Sequence, residues 1–150
     1  MDIKTNSLGL RRFSLYYSVL QLSHLVLLTR AGIIFLSGGQ IPFPAQPPIG
    51  GWEKETIPFL LGMGAMDGLA AVMAIYSGWV LFTKKEFLIN IWAVSLTIAI
   101  TSAIIFCFGT FPSGAWEDNL LGYGTLAVVF SPLFVYYVQL IRIWIPKSSP

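Results

Sequence analysis

Four long apolar stretches alternate with short polar segments along the chain. They cover residues 13–36, 57–82, 87–108 and 120–145. The hydrocarbon core of a bilayer is about 30 Å thick, and a helix needs about 20 apolar residues to cross it. Each stretch meets that length, so the pattern predicts an all-α fold. We expect an integral membrane four-helix bundle that forms a single domain over residues 1–150.

The connections between the stretches predict how the spans are joined. Residues 83–86 alone separate the second span from the third, which predicts a tight antiparallel hairpin, and residues 109–119 form a short turn. The first connection, residues 37–56, is longer and contains Pro42, Pro44, Pro47 and Pro48. Because proline lacks a backbone N–H and favours extended backbone, we expect this segment to be an irregular loop outside the membrane.

Composition narrows the class of protein and its partners. The chain is 55% hydrophobic and only 11% charged, with a mean hydropathy of +0.73, whereas about a quarter of the residues in soluble domains are charged. A net charge of +2 is too small to indicate nucleic acid as a partner, so the lipid bilayer is the expected one. The single cysteine, Cys107, excludes an intrachain disulfide and a cysteine-based zinc site. No metal or cofactor motif is present, and we expect neither group.

The distribution of lysine and arginine predicts the orientation in the membrane. With the amino terminus inside, Lys54 alone lies on the outer side and Arg30 lies within the first span. The inner side then holds Lys4, Arg11, Arg12, Lys84, Lys85, Arg142 and Lys147. This bias predicts that both termini are cytoplasmic, and it favours the plasma membrane.

Three ionisable residues lie inside the predicted spans: His24, Arg30 and Asp67. A charge at the centre of a membrane helix costs about 2.5–3.5 kcal/mol on insertion scales, so such residues usually face the bundle interior. From the helical rise, Arg30 lies about 9 Å and Asp67 about 15 Å from the outer ends of their spans. The long arginine side chain can cover most of that difference. We therefore expect an Asp67–Arg30 pair with His24 nearby.

This cluster has three interpretations. It is a structural ion pair that fixes the register of the helices, or it is a site for a ligand, proton or substrate. In the third, Arg30 extends outward to the headgroups and Asp67 is neutral. No residue is expected to be catalytic on sequence grounds.

Small residues predict where the second span packs. Asp67 shares a helical face with Gly64, Ala71, Ala74 and Gly78. Small side chains at this spacing let another helix approach closely, so Asp67 is expected to point at a partner helix rather than at lipid.

Other polar positions carry weaker signals. Tyr17 and Gln21 share a face with His24, which is typical of hydrogen bonding between helices. Pro132 inside the fourth span predicts a kink. The acidic residues of the outer loops are read as solvated ends, since no calcium-loop spacing joins them. They are Glu53, Glu55, Glu117 and Asp118.

Two functions fit these features best. The short loops and the small-residue face favour a non-catalytic accessory or assembly subunit of a membrane complex, with a membrane-protein partner or a second copy of the chain. The alternative is a binder or modest enzyme for a lipophilic small molecule such as a lipid, quinone or sterol-like compound. Its pocket would lie between the helices toward the outer leaflet, with the Pro-rich loop as a lid. A transporter ranks third, because no internal repeat or broken-helix pair is visible.

Overall fold

The computed structural model describes residues 8–42 and 46–145 of the chain. Lys4, Pro44 and Lys147 lie outside the described residues. Four long helices account for most of the described chain, and no strand occurs in those residues. They are α1 (Leu8–Leu36), α2 (Thr56–Lys84), α3 (Ile89–Thr110) and α5 (Leu120–Trp144), with a one-turn helix α4 (Ala115–Asp118) before the last.

The four helices confirm the predicted all-α fold. Each contains a segment long and apolar enough to cross a membrane. α1 begins at Leu8, earlier than the apolar pattern predicts, so Arg11 and Arg12 lie on its first turns. Between α3 and α5, the predicted short turn is instead a 3₁₀ turn (Phe111–Ser113) followed by α4. Because the backbone of this turn is helical, its N–H and C=O groups can bond to each other, whereas those of an irregular loop would bond to solvent.

The helices form a bundle with two distinct ends. α2 packs against both α1 and α3, and α5 packs mainly against α3, with a thinner contact to α1. We call the end with the α2–α3 turn the hairpin end. The end with the 37–55 connection and α4 is the loop end.

An aromatic cluster fills the hairpin end. Trp92, Tyr17 and Tyr136 are fully buried there, and their ring centroids lie 5.9–6.4 Å apart. The hydroxyls of the two tyrosines form hydrogen bonds between helices: Tyr17 with Ser95 at 2.9 Å and Tyr136 with Ser14 at 2.8 Å. The three buried rings fix the packing of α1, α3 and α5 at this end. The two tyrosine hydroxyls are hydrogen-bonded, whereas the Trp92 indole N–H has no hydrogen-bond partner among the described residues.

The small residues of α2 face α1. Ala71, Ala74 and Gly78 are buried. A Cβ atom added at Gly78 would overlap the Ser18 hydroxyl of α1, and one added at Gly64 would lie 3.7 Å from Leu28. Small side chains at these positions therefore permit the close approach of α1 and α2. This face is occupied within the chain itself.

The Pro-rich loop folds against the loop end of the bundle. Trp52 is 5% exposed, and its indole N–H donates to the Ile41 carbonyl at 2.8 Å. Both residues belong to a buried cluster with Phe106 of α3 and Tyr123 of α5. The Ile49 backbone N–H donates to the Asp118 carboxylate at 3.1 Å, so Asp118 ties the loop to α4.

Candidate functional site

A cavity of about 320 Å³ lies between the long helices in the half of the bundle nearer the loop end. α1 and α2 contribute Gln21, His24 and Asp67, and α3 and α5 supply the remaining walls together with Trp116 of α4. The volume lies at the lower end of the range typical of small-molecule sites, about 300–1,000 Å³. No residue of the Pro-rich loop that the structure describes lines the cavity, so the described loop does not act as its lid.

His24 and Asp67 meet at the polar end of this cavity. The His24 Nε2 atom lies 3.4 Å from Asp67 Oδ2, a distance within the range of an ion pair and longer than a good hydrogen bond. Their side chains are 11% and 21% exposed. The His24 ring also packs edge-on against Phe130 of α5, with the centroids 6.4 Å apart. The helix that Asp67 faces is thus α1, and its partner there is His24.

Gln21 extends the polar end by one turn of α1. It is 2% exposed, and its Oε1 atom has no hydrogen-bond partner among the described residues. An unpaired buried amide oxygen costs about 1–3 kcal/mol, so this atom is a natural contact for a bound group. The interhelical role expected for Gln21 leaves this oxygen unexplained.

Arg30 lies apart from the cavity. Its side chain is exposed, and it borders a shallow groove formed by residues of α1 itself, among them Val26 and Ile33. Within the described residues no ion pair joins Arg30 to Asp67. The structure therefore brings together two members of the expected cluster, and the third faces outward. An exposed arginine six residues from the end of α1 reaches the headgroup level of a bilayer by extending its side chain.

The rest of the cavity wall is apolar and rich in aromatic rings. Phe106, Trp116 and Tyr123 line it toward the loop end, where the Trp116 and Tyr123 rings stack with centroids 4.0 Å apart. Sequence reasoning did not assign these residues to a site. Phe106 and Tyr123 lie in apolar spans, where nothing distinguishes an aromatic residue that faces a cavity from one that faces lipid, and Trp116 lies in what the sequence predicts as a turn. Their clustering beside the α4 turn becomes visible only when the helices are packed.

The cavity opens sideways, between α3 and α5. Its lining includes Ile104 and Phe108 on α3 and Phe134 on α5, which are 43%, 78% and 49% exposed. The α1 and α2 residues of the lining are buried or half-buried. In a bilayer, the exposed faces of α3 and α5 would contact acyl chains, so the opening would lead to the hydrocarbon and not to water.

The donor set of the site does not favour a metal ion. No group of three or more histidine, cysteine, aspartate or glutamate side chains comes together within the described residues. His24 and Asp67 are two ligands, whereas structural zinc sites use four protein ligands and catalytic sites three. The chemistry available is hydrogen bonding, charge and apolar contact.

Comparison of the chain with protein-family models, with curated proteins and with solved structures finds no match. Inference about function therefore starts from the cavity: a mostly apolar space with Gln21, His24 and Asp67 at one end and a lateral opening.

Proposed function

We propose that this protein is a multi-pass membrane protein that binds a lipophilic small molecule in the cavity between its helices. The observation that supports this most directly is the contrast within the cavity wall. Three polar residues converge at one end, and apolar side chains line nearly all of the rest. Ligand sites in proteins have this character, since apolar walls supply affinity and a few placed polar groups orient the ligand.

The lateral opening supports entry of the ligand from the bilayer. A molecule dissolved in the hydrocarbon would enter past the exposed lining residues of α3 and α5, among them Ile104 and Phe134, without crossing a layer of water. A long tail would remain among the acyl chains while the head occupied the 320 Å³ interior. A ligand larger than the cavity is therefore compatible with the site.

Native mass spectrometry of the protein purified in mild detergent tests this proposal. We expect the wild-type chain to retain a lipophilic molecule. Ala103→Phe, which fills the cavity wall, should abolish the retained mass. Ala65→Phe is the matched control, because Ala65 is exposed on α2 outside the cavity and should leave the retained mass unchanged. Equal retention by both variants would place the molecule elsewhere and contradict the proposal.

The accessory-subunit hypothesis stays a prediction with reduced support. It relied on the small-residue face of α2 as a surface for another protein. Gly64 and Gly78 of that face lie against α1 of the same chain, so that face is not free for a partner. The same measurement addresses it: a co-purifying membrane protein together with an empty cavity would favour the accessory role over ligand binding.

A further inference from the structure

The charge of the cavity is set by His24 and Asp67. None of the lining residues that the structure describes is lysine or arginine, and Arg30 is exposed on the outer face of α1. The other titratable groups of the lining are the Cys107 thiol and the Tyr123 hydroxyl, and thiols and phenols are ordinarily uncharged at neutral pH. The sign of the charge that the cavity accepts therefore depends on one imidazole and one carboxyl group.

This pair carries one negative charge or no net charge. With a neutral imidazole, the Asp67 carboxylate supplies the negative charge. A proton added to either group brings the total to zero, and a second proton would leave an uncompensated positive charge among apolar side chains, where burying a charge is costly. A protonated His24 ring would lie 3.4 Å from Asp67 Oδ2, so its charge is already matched. A phosphate or carboxylate head group would thus add a negative charge that no described lining residue compensates.

The Asp67 carboxylate has room for a second partner. A carboxylate has about four acceptor positions on its two oxygens. Within the part of the chain that the structure describes, its one ion pair is with His24, at a distance longer than a good hydrogen bond. The Asp67 side chain lines the cavity and is 21% exposed, whereas that of His24 is 11% exposed. A cationic N–H group in the cavity can therefore donate to this carboxylate, and such a charge-assisted hydrogen bond is about twice as strong as a neutral one.

The rest of the wall suits an organic cation with an apolar body. The rings of Phe106, Trp116 and Phe130 line the cavity. Aromatic rings attract cations to the negative charge of their faces, and their apolar area accommodates the hydrocarbon part of a ligand. Gln21, the remaining polar residue at the same end as Asp67, is uncharged and favours neither sign. The polar end therefore selects a cation, and the walls select a lipophilic one.

A lipophilic amine is also suited to the lateral opening. Because the opening would lead to hydrocarbon, a ligand enters it at least cost in an uncharged form. An amine does so as the free base. In the cavity, its nitrogen lone pair takes the proton held by the His24–Asp67 pair, so one N–H bond forms on the ligand and one bond to hydrogen breaks on the pair. The ligand gains one positive charge, the pair gains one negative charge, and the total stays at zero.

We infer, on the basis of the proposed function, that the ligand is a lipophilic amine bound as its ammonium ion, whose N–H group donates to the Asp67 carboxylate. His24 lies beside this contact and holds the proton that the free amine takes up. Asp67 then exchanges a protonated imidazole partner for an ammonium partner of the same charge.

Three naphthalene probes that differ in the charge of the head group test this inference. They are dimethyl(2-naphthylmethyl)amine, its carbon isostere 2-isobutylnaphthalene, and 2-naphthylacetate. Dissociation constants are measured for the full chain in phosphatidylcholine nanodiscs and are expressed relative to the probe concentration in the lipid of empty nanodiscs. We expect the amine to bind about tenfold more tightly than the isostere, the factor that one charge-assisted hydrogen bond produces. Equal binding of these two probes, or tighter binding of the acetate, would overturn the inference.

Asp67→Asn tests whether the preference for the amine comes from the carboxylate. Asparagine keeps the shape of the side chain and removes its negative charge, so the amine's affinity should fall to about that of the isostere while the isostere's affinity is unchanged. Glu117→Gln is the matched control, because it removes an exposed carboxylate of α4 that lies outside the cavity lining. A preference that survives Asp67→Asn, or that Glu117→Gln abolishes, would contradict the contact with Asp67.

Labelling of Cys107 shows whether the amine occupies the cavity, and it needs no substitution. This residue is the only cysteine of the chain, and it lines the cavity. We expect the amine at saturation to slow the reaction of Cys107 with the lipid-soluble reagent N-phenylmaleimide several-fold, and 2-naphthylacetate at the same concentration to leave the rate unchanged. An unchanged rate with the amine would place it elsewhere and overturn the inference.

The results separate failure of the inference from failure of the proposed function. Equal binding of amine and isostere by the wild-type chain, with Ala103→Phe abolishing both, overturns the amine inference and leaves the ligand site in place. Absence of binding by every probe, with no retained molecule in native mass spectrometry, counts against both. Melting curves for each variant show whether a lost preference accompanies a lost fold. If Asp67→Asn is unfolded, the probe preference and the Cys107 labelling of the wild-type chain still decide the outcome.

Discussion

At the scale of single residues, position on the helix separates Asp67 from Arg30 although both are charges inside apolar segments. Asp67 is 21% exposed and has His24 at 3.4 Å, whereas Arg30 is exposed on the outer face of α1. An arginine near the end of a membrane helix reaches water through its long side chain, but an aspartate cannot. Asp67 therefore depends on a neighbour, and Arg30 does not.

Substitutions at these two positions should differ in their effect on stability. We expect Asp67→Asn to lower the free energy of unfolding by about 1–3 kcal/mol, because the His24 ring loses its carboxyl partner at a buried site. Arg30→Gln should change it by less than about 0.5 kcal/mol, as exposed substitutions usually do. Thermal unfolding in nanodiscs, followed by circular dichroism, measures both. Equal losses would show that Arg30 also takes part in the cluster.

A stable Asp67→Asn variant with altered ligand retention would instead favour the functional interpretation of the pair over the structural one. Asparagine preserves the shape of the side chain and removes its charge. Unchanged melting together with weakened retention would then assign Asp67 a role toward the ligand. A lower melting temperature with normal retention would assign it to helix register.

At the scale of elements, α5 shows how a helix that contains proline satisfies its backbone. Pro132 has no N–H to give to the carbonyl four residues earlier, that of Val128. The Ser131 hydroxyl donates to this same oxygen at 2.9 Å. The next carbonyl, that of Val129, accepts from the Tyr16 hydroxyl of α1 at 2.6 Å. Side chains thus meet a need that water cannot meet in hydrocarbon.

Removing the Ser131 hydroxyl should therefore destabilise α5. We expect Ser131→Ala to lower the free energy of unfolding by about 1–2 kcal/mol, because the Val128 carbonyl loses its hydroxyl donor. Ser23→Ala is the matched control, since the Ser23 hydroxyl bonds to the Val19 carbonyl within a helix without proline at 3.0 Å. That carbonyl keeps the backbone N–H of Ser23, so the change should stay below about 0.5 kcal/mol. Similar melting temperatures for the two variants would contradict this role of Ser131.

The helices also show which features of the fold can be predicted from the sequence. Span number and helical class follow from length and hydropathy, because the cost of unsatisfied backbone in lipid leaves few alternatives. Pairing between helices depends on rotation about each helix axis, which apolar residues on every side leave undetermined. Arg30 illustrates this. Its depth in the span would allow a contact with Asp67, but its side chain lies on the exposed side of α1, away from α2.

Only part of the candidate site could be predicted from the sequence, for the same reason. An ionisable residue in an apolar span is a strong signal, and it identified His24 and Asp67. Gln21 was visible as a polar residue on the same face, but the lack of a hydrogen-bond partner for its oxygen among the described residues depends on how the helices pack. The aromatic residues Phe106 on α3 and Tyr123 on α5 carried no signal of a cavity in the sequence, because their side chains resemble those that face lipid.

At the scale of the whole molecule, the distribution of charge predicts the direction of the bundle in the membrane. The hairpin end carries Arg11, Arg12, Lys84, Lys85 and Arg142, and the loop end carries Lys54. Basic residues near the ends of spans stay on the cytoplasmic side, so the hairpin end is expected inside and the loop end outside. The polar end of the cavity would then lie deep in the membrane, with the aromatic wall toward the outer leaflet.

Cysteine labelling in intact expressing cells tests this orientation. The chain has one native cysteine, so Cys107→Ser gives a background without cysteine. We expect Gln46→Cys, on the exposed Pro-rich loop, to react with a membrane-impermeant maleimide at the cell surface. Lys85→Cys, exposed in the turn between α2 and α3, should react only after the membrane is permeabilised. The reverse pattern would invert the bundle and place the aromatic wall in the inner leaflet. Labelling of both sites in intact cells would mean that the loop and the turn lie on the same side of the membrane. Since α2 alone connects them, α2 would then not span the bilayer.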